Sequence, residues 1–240
     1  MTRRRWIADE VSGNRAALTG SHADHLAHAL RGRVGQEFDI ATAESVRRGR
    51  ISSIAEGRVE FELGEVVPVA PAPRLTLILS IFKFDRMEWA IEKCVELGAA
   101  RIIPAVAQRS EKHLAAAALK RVERWQRIAL AASEQSRRTA PPEISPPVRL
   151  EDAVATASSG TCIVLAESEE RQSLKDALRR RAPDGEVTLV FGPEGGWTES
   201  ELKSFAKSGW ITASLGSTIL RAETAAIAAT AIAIAEMEQQ

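Results

Sequence analysis

Apolar and polar positions along the chain change rhythm near residue 70. Before that point, Glu37-Phe-Asp-Ile-Ala-Thr42, Gly49-Arg-Ile-Ser-Ser-Ile54 and Arg58-Val-Glu-Phe-Glu-Leu63 alternate roughly every second residue, with turn formers between them. This period predicts half-buried strands and a small β-barrel over residues 1–70. One helix interrupts it, from about Ser21 as N-cap to Arg31, closed by Gly32. The stretch 66–74, VVPVAPAPR, has three prolines and no helical or strand period, which marks a stiff linker and a domain boundary. Beyond it, apolar strands at 75–81, 101–106, 161–166, 187–191 and 211–215 alternate with helices at 85–97, 115–136, 151–158, 171–181, 198–208 and 221–237. Gly98 ends the first of these helices. Such alternation predicts an α/β domain over 71–240 with a mainly parallel sheet covered on both faces.

Composition changes this picture little. A chain of 240 residues with 45% hydrophobic content can bury one large core or two modest ones. Lys and Arg number 32 against 32 Asp and Glu, so bulk charge neither advertises nor excludes a polyanionic partner. Cys94 and Cys162 sit far apart in apolar surroundings, as reduced core thiols do, which points to a reducing, cytoplasmic setting. The basic start Met1-Thr-Arg-Arg-Arg-Trp6 is followed by no apolar run, so neither a signal peptide nor a membrane anchor is expected. The apolar stretch 225–235 is too short and alanine-rich to span a bilayer. His22, His25 and His28 recur every third residue, but no cysteine or carboxylate nearby completes a tetrahedral set, so no metal is expected.

Two loops carry candidate chemistry. Gly192-Pro193-Glu194-Gly195-Gly196 lies between a strand and a helix that Thr198 can cap. In α/β sheets ligands lie beyond the carboxyl ends of strands, and glycine there lets a ligand approach the backbone. Neither phosphate fingerprint, G-x-x-x-x-G-K-[ST] or G-x-G-x-x-G, is present, and Glu194 would repel a pyrophosphate, so a cationic or zwitterionic ligand fits better. A tight turn without ligand is the alternative. The second loop, Leu215-Gly-Ser-Thr-Ile-Leu-Arg-Ala-Glu-Thr-Ala225, again runs from a strand end into a helix. Backbone groups of Leu215, Gly216, Ile219 and Leu220 there could grip an adenine, with plain core packing as the competing use of these side chains.

At this point the chain resembles the RsmE family of the SPOUT superfamily. The resemblance rests on Arg86-Met-Glu-Trp-Ala-Ile-Glu-Lys-Cys-Val-Glu-Leu-Gly98 with Ile102-Ile-Pro104, on Arg124-Trp-Gln-Arg-Ile128 and Glu134-Gln-Ser-Arg137, and on GPEGGWTESEL and LGSTILRAETAA. It implies S-adenosylmethionine as methyl donor, N3 of a uridine in small-subunit (16S) ribosomal RNA as acceptor, a deep C-terminal trefoil knot, a homodimer and an N-terminal PUA-like barrel. The cofactor would be held by Leu165, Glu167, Gly192 to Gly196, Leu215, Gly216, Ile219, Leu220, Arg221, Thr224 and Ala225. This chain has Thr218 where the family commonly has arginine, Trp197 where phenylalanine is usual, and no Gly-x-Gly turn near 42–48.

A neutral uracil N3 carries a proton, so methylation there needs a base and a cation to stabilise charge on the oxygens. Arg221 is the candidate cation, because its guanidinium stays charged and presents a fork of donors. Glu223 is the favoured base, with Glu194 as alternative; a structural ion pair capping the last helix is the competing use of Arg221 and Glu223. The acceptor edge is the Watson–Crick edge, so the base must be unpaired or flipped and the RNA held alongside. Residues 109–138 hold eight Lys or Arg against three acids, and residues 1–50 hold nine arginines against six acids. Arg3, Arg4, Arg5, His25, Arg31, Arg109, Arg124, Arg137 and Arg138 are the candidate RNA contacts, a solvated charged surface being the competing reading. Three rivals remain: a SPOUT enzyme acting on another base or a ribose 2′-hydroxyl, a non-catalytic ribosomal RNA-binding assembly factor, and a nucleotide-dependent oxidoreductase, which the missing dinucleotide fingerprint disfavours.

Overall fold

A computed structural model describes residues 5–42, 44–69, 73–157, 160–182 and 185–238. It divides the chain into two compact units, Met1–Pro71 with Ser133–Pro141, and Ala72–Ala132 with Pro142–Gln240. No helix among the described residues is long and apolar enough to cross a membrane.

The first unit is a curled sheet of β1 (Arg5–Ile7), β2 (Glu10–Ser12), β3 (Arg15–Thr19), β4 (Glu37–Ala41), β5 (Val46–Ala55) and β6 (Arg58–Val67), ordered β1-β4-β5-β6-β3-β2. Every pair is antiparallel except β1–β4. Its inward positions, among them Trp6, Leu18, Phe38, Ile40, Ile51, Val59 and Phe61, form one core, as the two-residue period requires. β1 and β2 follow one another in sequence yet sit at opposite edges. Between them the Ala8 amide donates to Ala41 at 2.9 Å and the Asp9 amide to Ala17 at 3.0 Å. One short segment thus satisfies both edges, which an open sheet would leave unpaired. Gly49 stands at a register shift in the β5–β6 hairpin, where a Cβ would lie 2.3 Å from Ile40 Cγ1.

Two local expectations need correction in this unit. The helix expected from Ser21 to Arg31 is a short α1 (Gly20–Asp24) entered from Thr19, followed by a π-helical turn at His25–Ala29. The Leu30 amide reaches back to the His25 carbonyl at 3.0 Å, and this wider turn buries Leu26 while His25 lies edge-on to Trp6. The expected linker begins late, because Val66 and Val67 still belong to β6; residues 70–72, where the boundary was placed, lie outside the described residues.

The second unit runs β7 (Leu75–Ser80), α2 (Phe84–Leu97), β8 (Arg101–Val106), α3 (Lys112–Ala117), α4 (Val122–Gln135), β9 (Glu143–Ile144), β10 (Val148–Arg149), α5 (Leu150–Thr156), β11 (Thr161–Leu165), α6 (Leu174–Leu178), β12 (Val187–Phe191), α7 (Glu199–Lys207), β13 (Ile211–Ala213) and α8 (Ala222–Glu238). The strands pair in parallel throughout, in the order β10-β8-β7-β12-β11-β13, with β9 added on β8. Successive strand residues enter different cores. Leu77, Ile102, Ile163 and Leu189 face α2, α6 and α8, whereas Ile78, Ile103, Val164 and Val190 face α5 and α7. Both faces are dry, which is why these strands read as continuous apolar runs. Gly98 closes α2 at φ 116°, a left-handed conformation that favours glycine.

The helix expected over 115–136 is broken into α3, a 3-10 turn at Ala118–Arg121 and α4. The tighter turn brings Ala118 into the core and leaves Leu119 outside. The helix expected at 171–181 shortens to α6, because Gln172 and Leu174 make backbone bonds to Ser214 at 2.9 Å and extend the sheet beyond β13 instead. The Ser173 hydroxyl then caps α6 by accepting from the Asp176 amide at 3.1 Å.

Cys94, fully buried where α2 meets α8, is pushed up to about 12 by burial, and its sulfur receives the Thr230 hydroxyl at 3.4 Å. Alkylation requires the thiolate. Iodoacetamide at pH 8 is therefore expected to leave Cys94 unmodified in the native protein and to label it once guanidinium unfolds the chain. Native-state labelling at the rate of a free thiol, read by mass spectrometry, would contradict this packing.

Candidate active site

Strands β12, β11 and β13 are neighbours, so their carboxyl ends open side by side. The loops that follow them, the start of α2 after β7 and Arg109 after β8 enclose a cavity of about 640 Å³. Leu165, Glu167, Gly192, Pro193, Glu194, Gly195, Gly196, Leu215, Gly216, Ile219, Leu220, Arg221 and Ala225 all line it. The pairing order of the strands brings together residues more than fifty positions apart in sequence. Of the expected cofactor set, Thr224 alone is not on the wall; it is exposed in the first turn of α8. Ile219, on the last loop, is 79% exposed.

The glycine turn is braced by contacts to neighbouring elements. Thr198 caps α7 in a reciprocal capping box with Glu201. Buried Glu201 also accepts from the Gln108 amide at 2.9 Å, joining the turn to the end of β8. The Trp197 indole donates to the Leu165 carbonyl at 2.7 Å and packs edge-on against Phe205, which ties the loop after β12 to that after β11. A Cβ on Gly192 would come 3.2 Å from the Trp197 ring, and one on Gly195 would come 3.2 Å from Arg109 Cβ. Gly196 at φ 67° and Gly216 at φ 123° adopt left-handed backbone that side chains disfavour.

Charges are arranged around one guanidinium. Arg86, in the first turn of α2, donates through Nη1 to Glu194 Oε1 at 2.8 Å, and its Nε faces Glu223 Oε1 at 3.8 Å. The two candidate bases therefore share a cation. Glu223 is buried in the first turn of α8, whereas Arg221 is exposed on the wall just before it. The ion pair between Arg221 and Glu223 that the sequence allows is not among the ion pairs found; Glu223 faces Arg86 instead.

Sequence reasoning assigned no role to Lys83, Arg86 or Trp197, all of which line the cavity. Arg86 stood within a quoted motif, but its partners lie 108 and 137 positions away. The candidate RNA contacts are dispersed. Arg109 lines the cavity and donates to the Gly195 carbonyl at 2.8 Å, while Arg124 donates to Glu88 at 2.7 Å. Arg5 donates to the Arg137 carbonyl, and Arg137 itself holds a φ of 60°. Arg138 is half-buried, with its guanidinium pushed below its usual range by burial. His25 and Arg31 are exposed, and Arg3 and Arg4 lie outside the described residues.

Trp197→Phe keeps the aromatic edge against Phe205 but removes the donor to Leu165. Its expected cost is about 1 kcal/mol in urea unfolding, the usual net worth of one hydrogen bond. An unchanged midpoint would mean that this bond does not brace the two loops.

Residues 70–234 match the model of an RNA methyltransferase domain. The ribosomal RNA small subunit methyltransferase E of Bacillus subtilis is 29% identical over 222 residues, covering 87% of this chain and 85% of the relative. Its counterpart in Synechocystis sp. is 31% identical over 212 residues, covering 87% and 69%. The crystal structure of a ribosomal RNA small subunit methyltransferase E from Neisseria gonorrhoeae bound to S-adenosyl methionine has a TM-score of 0.82 at 28% identity, covering 99% of this chain and 97% of that one. By family model, by sequence and by fold, the chain belongs to the ribosomal RNA small subunit methyltransferase E family.

Proposed function

We propose that this protein transfers a methyl group from S-adenosylmethionine to N3 of a uridine in small-subunit ribosomal RNA. The observation that carries the reading is the glycine-walled cavity at the carboxyl ends of β11, β12 and β13. Its volume of about 640 Å³ falls within the range of small-molecule sites. A Cβ at Gly192 or Gly195 would crowd Trp197 or Arg109, and the glycines leave the turn's backbone bare. Leu165, Phe191, Leu215 and Leu220 offer apolar surface for a purine, and Glu167 and Glu194 offer carboxylates for a cationic ligand. These residues fit such a cofactor, and a relative of this fold binds it.

Bound S-adenosylmethionine supplies a methyl group on a positively charged sulfur, so the protein's task is alignment rather than activation of the electrophile. The loops after β11 and β13 would hold the adenosine, and Glu194 would face the cationic end. Arg221, exposed beside Leu220, presents its donors where negative charge develops on a uracil oxygen as N3 loses its proton. A carboxylate takes that proton; Glu194, on the wall, and Glu223, buried against Arg86, are the candidates.

The same reading makes residues 71–240 a SPOUT domain with a deep trefoil knot and residues 1–70 a PUA-like RNA-binding barrel, working as a metal-free homodimer in the cytoplasm. The incompletely buried Ala228 and Ala231 and exposed Ala235 give α8 a smooth face that a second copy can approach closely.

Arg221→Ala is expected to lower turnover by at least about 100-fold, the loss typical of one donor to a developing oxyanion, while calorimetric affinity for S-adenosylmethionine is retained. Lost affinity would move Arg221 from chemistry to cofactor binding. Affinity for ribosomal RNA is expected to fall steeply as salt rises, because phosphate contacts release counterions. A flat salt dependence would remove the candidate arginines from the RNA interface.

A further inference from the structure

Among the described residues, Lys83, Arg86, Arg109 and Arg221 are the cations of the cavity wall, and carboxylates hold only Arg86, which pairs with Glu194 and faces Glu223. The others are exposed. Lys83 and Arg221 have no side-chain partner among the described residues, and Arg109 spends one donor on the Gly195 carbonyl. S-adenosylmethionine carries one carboxylate against an ammonium and a sulfonium, and a net cation does not call for such a set. A polyanion does. Position then separates the exposed cations. Arg221 follows β13, on the side of β12 where the adenosine is proposed to lie, whereas Lys83 and Arg109 follow β7 and β8 on the other side. Ser80 stands opposite Ala105 in that strand pair and the Ile81 amide donates to the Ala105 carbonyl at 2.8 Å, so the segments leading to Lys83 and Arg109 leave the sheet side by side.

We propose that Lys83, together with Arg109, holds the sugar–phosphate backbone beside the target nucleotide while its base enters the cavity. This rests on the RNA substrate of the reading above. A base presented by its Watson–Crick edge must be unpaired or flipped, and its flanking phosphates then stay at the cavity mouth, where they need cations to fix them. Such contacts set register and orientation without reading sequence. The two side chains suit the task differently. Lys83, at the N-cap position of α2, offers a compact charge on a flexible stem that can follow a phosphate, whereas the Arg109 guanidinium is fixed at one corner by Gly195 and presents its remaining donors from there. That bond also joins the phosphate site to the glycine turn.

The test uses the full chain, small ribosomal subunits lacking the modification and S-adenosylmethionine with a labelled methyl group. Subunit affinity across a salt series, kcat, KM for the subunit, calorimetric cofactor affinity and thermal midpoint are measured for Lys83→Met, Lys83→Arg, Arg109→Met and the Lys83→Met/Arg109→Met double variant. Lys207→Met is the control, at an exposed lysine of α7 that is not on the cavity wall. Lys83→Met is expected to raise KM for the subunit about tenfold, the worth of one charge-assisted hydrogen bond, and to lower the slope of log affinity against log salt by about one. Because the phosphate is held equally before and during the transfer, kcat at saturating subunit stays within about twofold of wild type. Cofactor affinity and midpoint do not change. Arg109→Met lowers the slope by a similar step, the double variant lowers it by about two, and Lys83→Arg and Lys207→Met keep it. An unchanged slope in either single variant overturns the inference, and in Lys83→Met an unchanged slope with lost cofactor affinity would give Lys83 to the cofactor's carboxylate. A fall in Lys207→Met as large as that in Lys83→Met also overturns it, since the effect would then belong to the overall charge and not to a contact. A wild-type protein that binds the subunit and transfers no label overturns the proposed function alone, because the salt slopes still decide the role of Lys83.

Discussion

β12 pairs with β7 on one side and with β11 on the other, and each feature of the candidate site depends on that placement. In a parallel sheet every carboxyl end opens toward the same edge, so loops from distant parts of the chain converge there without any one of them being long. Seating β12 in the middle puts the glycine turn at the centre of that edge. The loops after β11 and β13 lie to one side of it, and the starts of α2 and of the segment after β8 lie to the other. The pairing is maintained by burial on both faces. Val190 packs toward α5 and α7, and Leu189 toward α2 and α8, so a one-residue slip would send each to the wrong layer.

The rigid sheet leaves the turn itself to be held by polar contacts to the elements on either side of it. Glu201 both caps α7 and accepts from Gln108, and Trp197 donates to Leu165. The glycines can therefore remain bare toward the cavity without the loop being loose. A braced turn with exposed backbone is the arrangement a small-ligand site needs.

What was legible in the sequence was local. The apolar run of β12, the Thr198 cap and the Gly98 terminus each depend on residues within a few positions of one another, and each is found where the pattern puts it. The break at Ala118–Arg121 was not legible, because AAAALKR contains neither a cap nor a breaker; tertiary packing of Ala118 decides it. The closure of the first sheet by residues 5–12 was missed for a similar reason. Those residues show no clear alternation, since β1 buries one side chain and β2 none. Within the site, the two loops announced themselves through glycine and strand position, whereas Arg86 did not. Its importance lies in partners on the loop after β12 and on α8, and no spacing rule along the chain connects them.

Charge in the second unit is ordered in depth rather than in bulk. Equal numbers of acids and bases conceal carboxylates, Glu194 and Glu223, gathered around Arg86, and further cations, Lys83, Arg109 and Arg221, standing exposed on the cavity wall. Among the described residues the wall carries four cations, Lys83, Arg86, Arg109 and Arg221, against the carboxylates of Glu167 and Glu194, so its exposed cations can meet phosphate and its carboxylates a cationic group. Other arginines of the basic stretch do not share that role: Arg121 and Arg124 both pair with Glu88, and Arg121 lies over the Phe84 ring. A count of charges along the sequence therefore overstates the surface open to a polyanion, and only the pairing of each side chain separates the bound charges from the exposed ones.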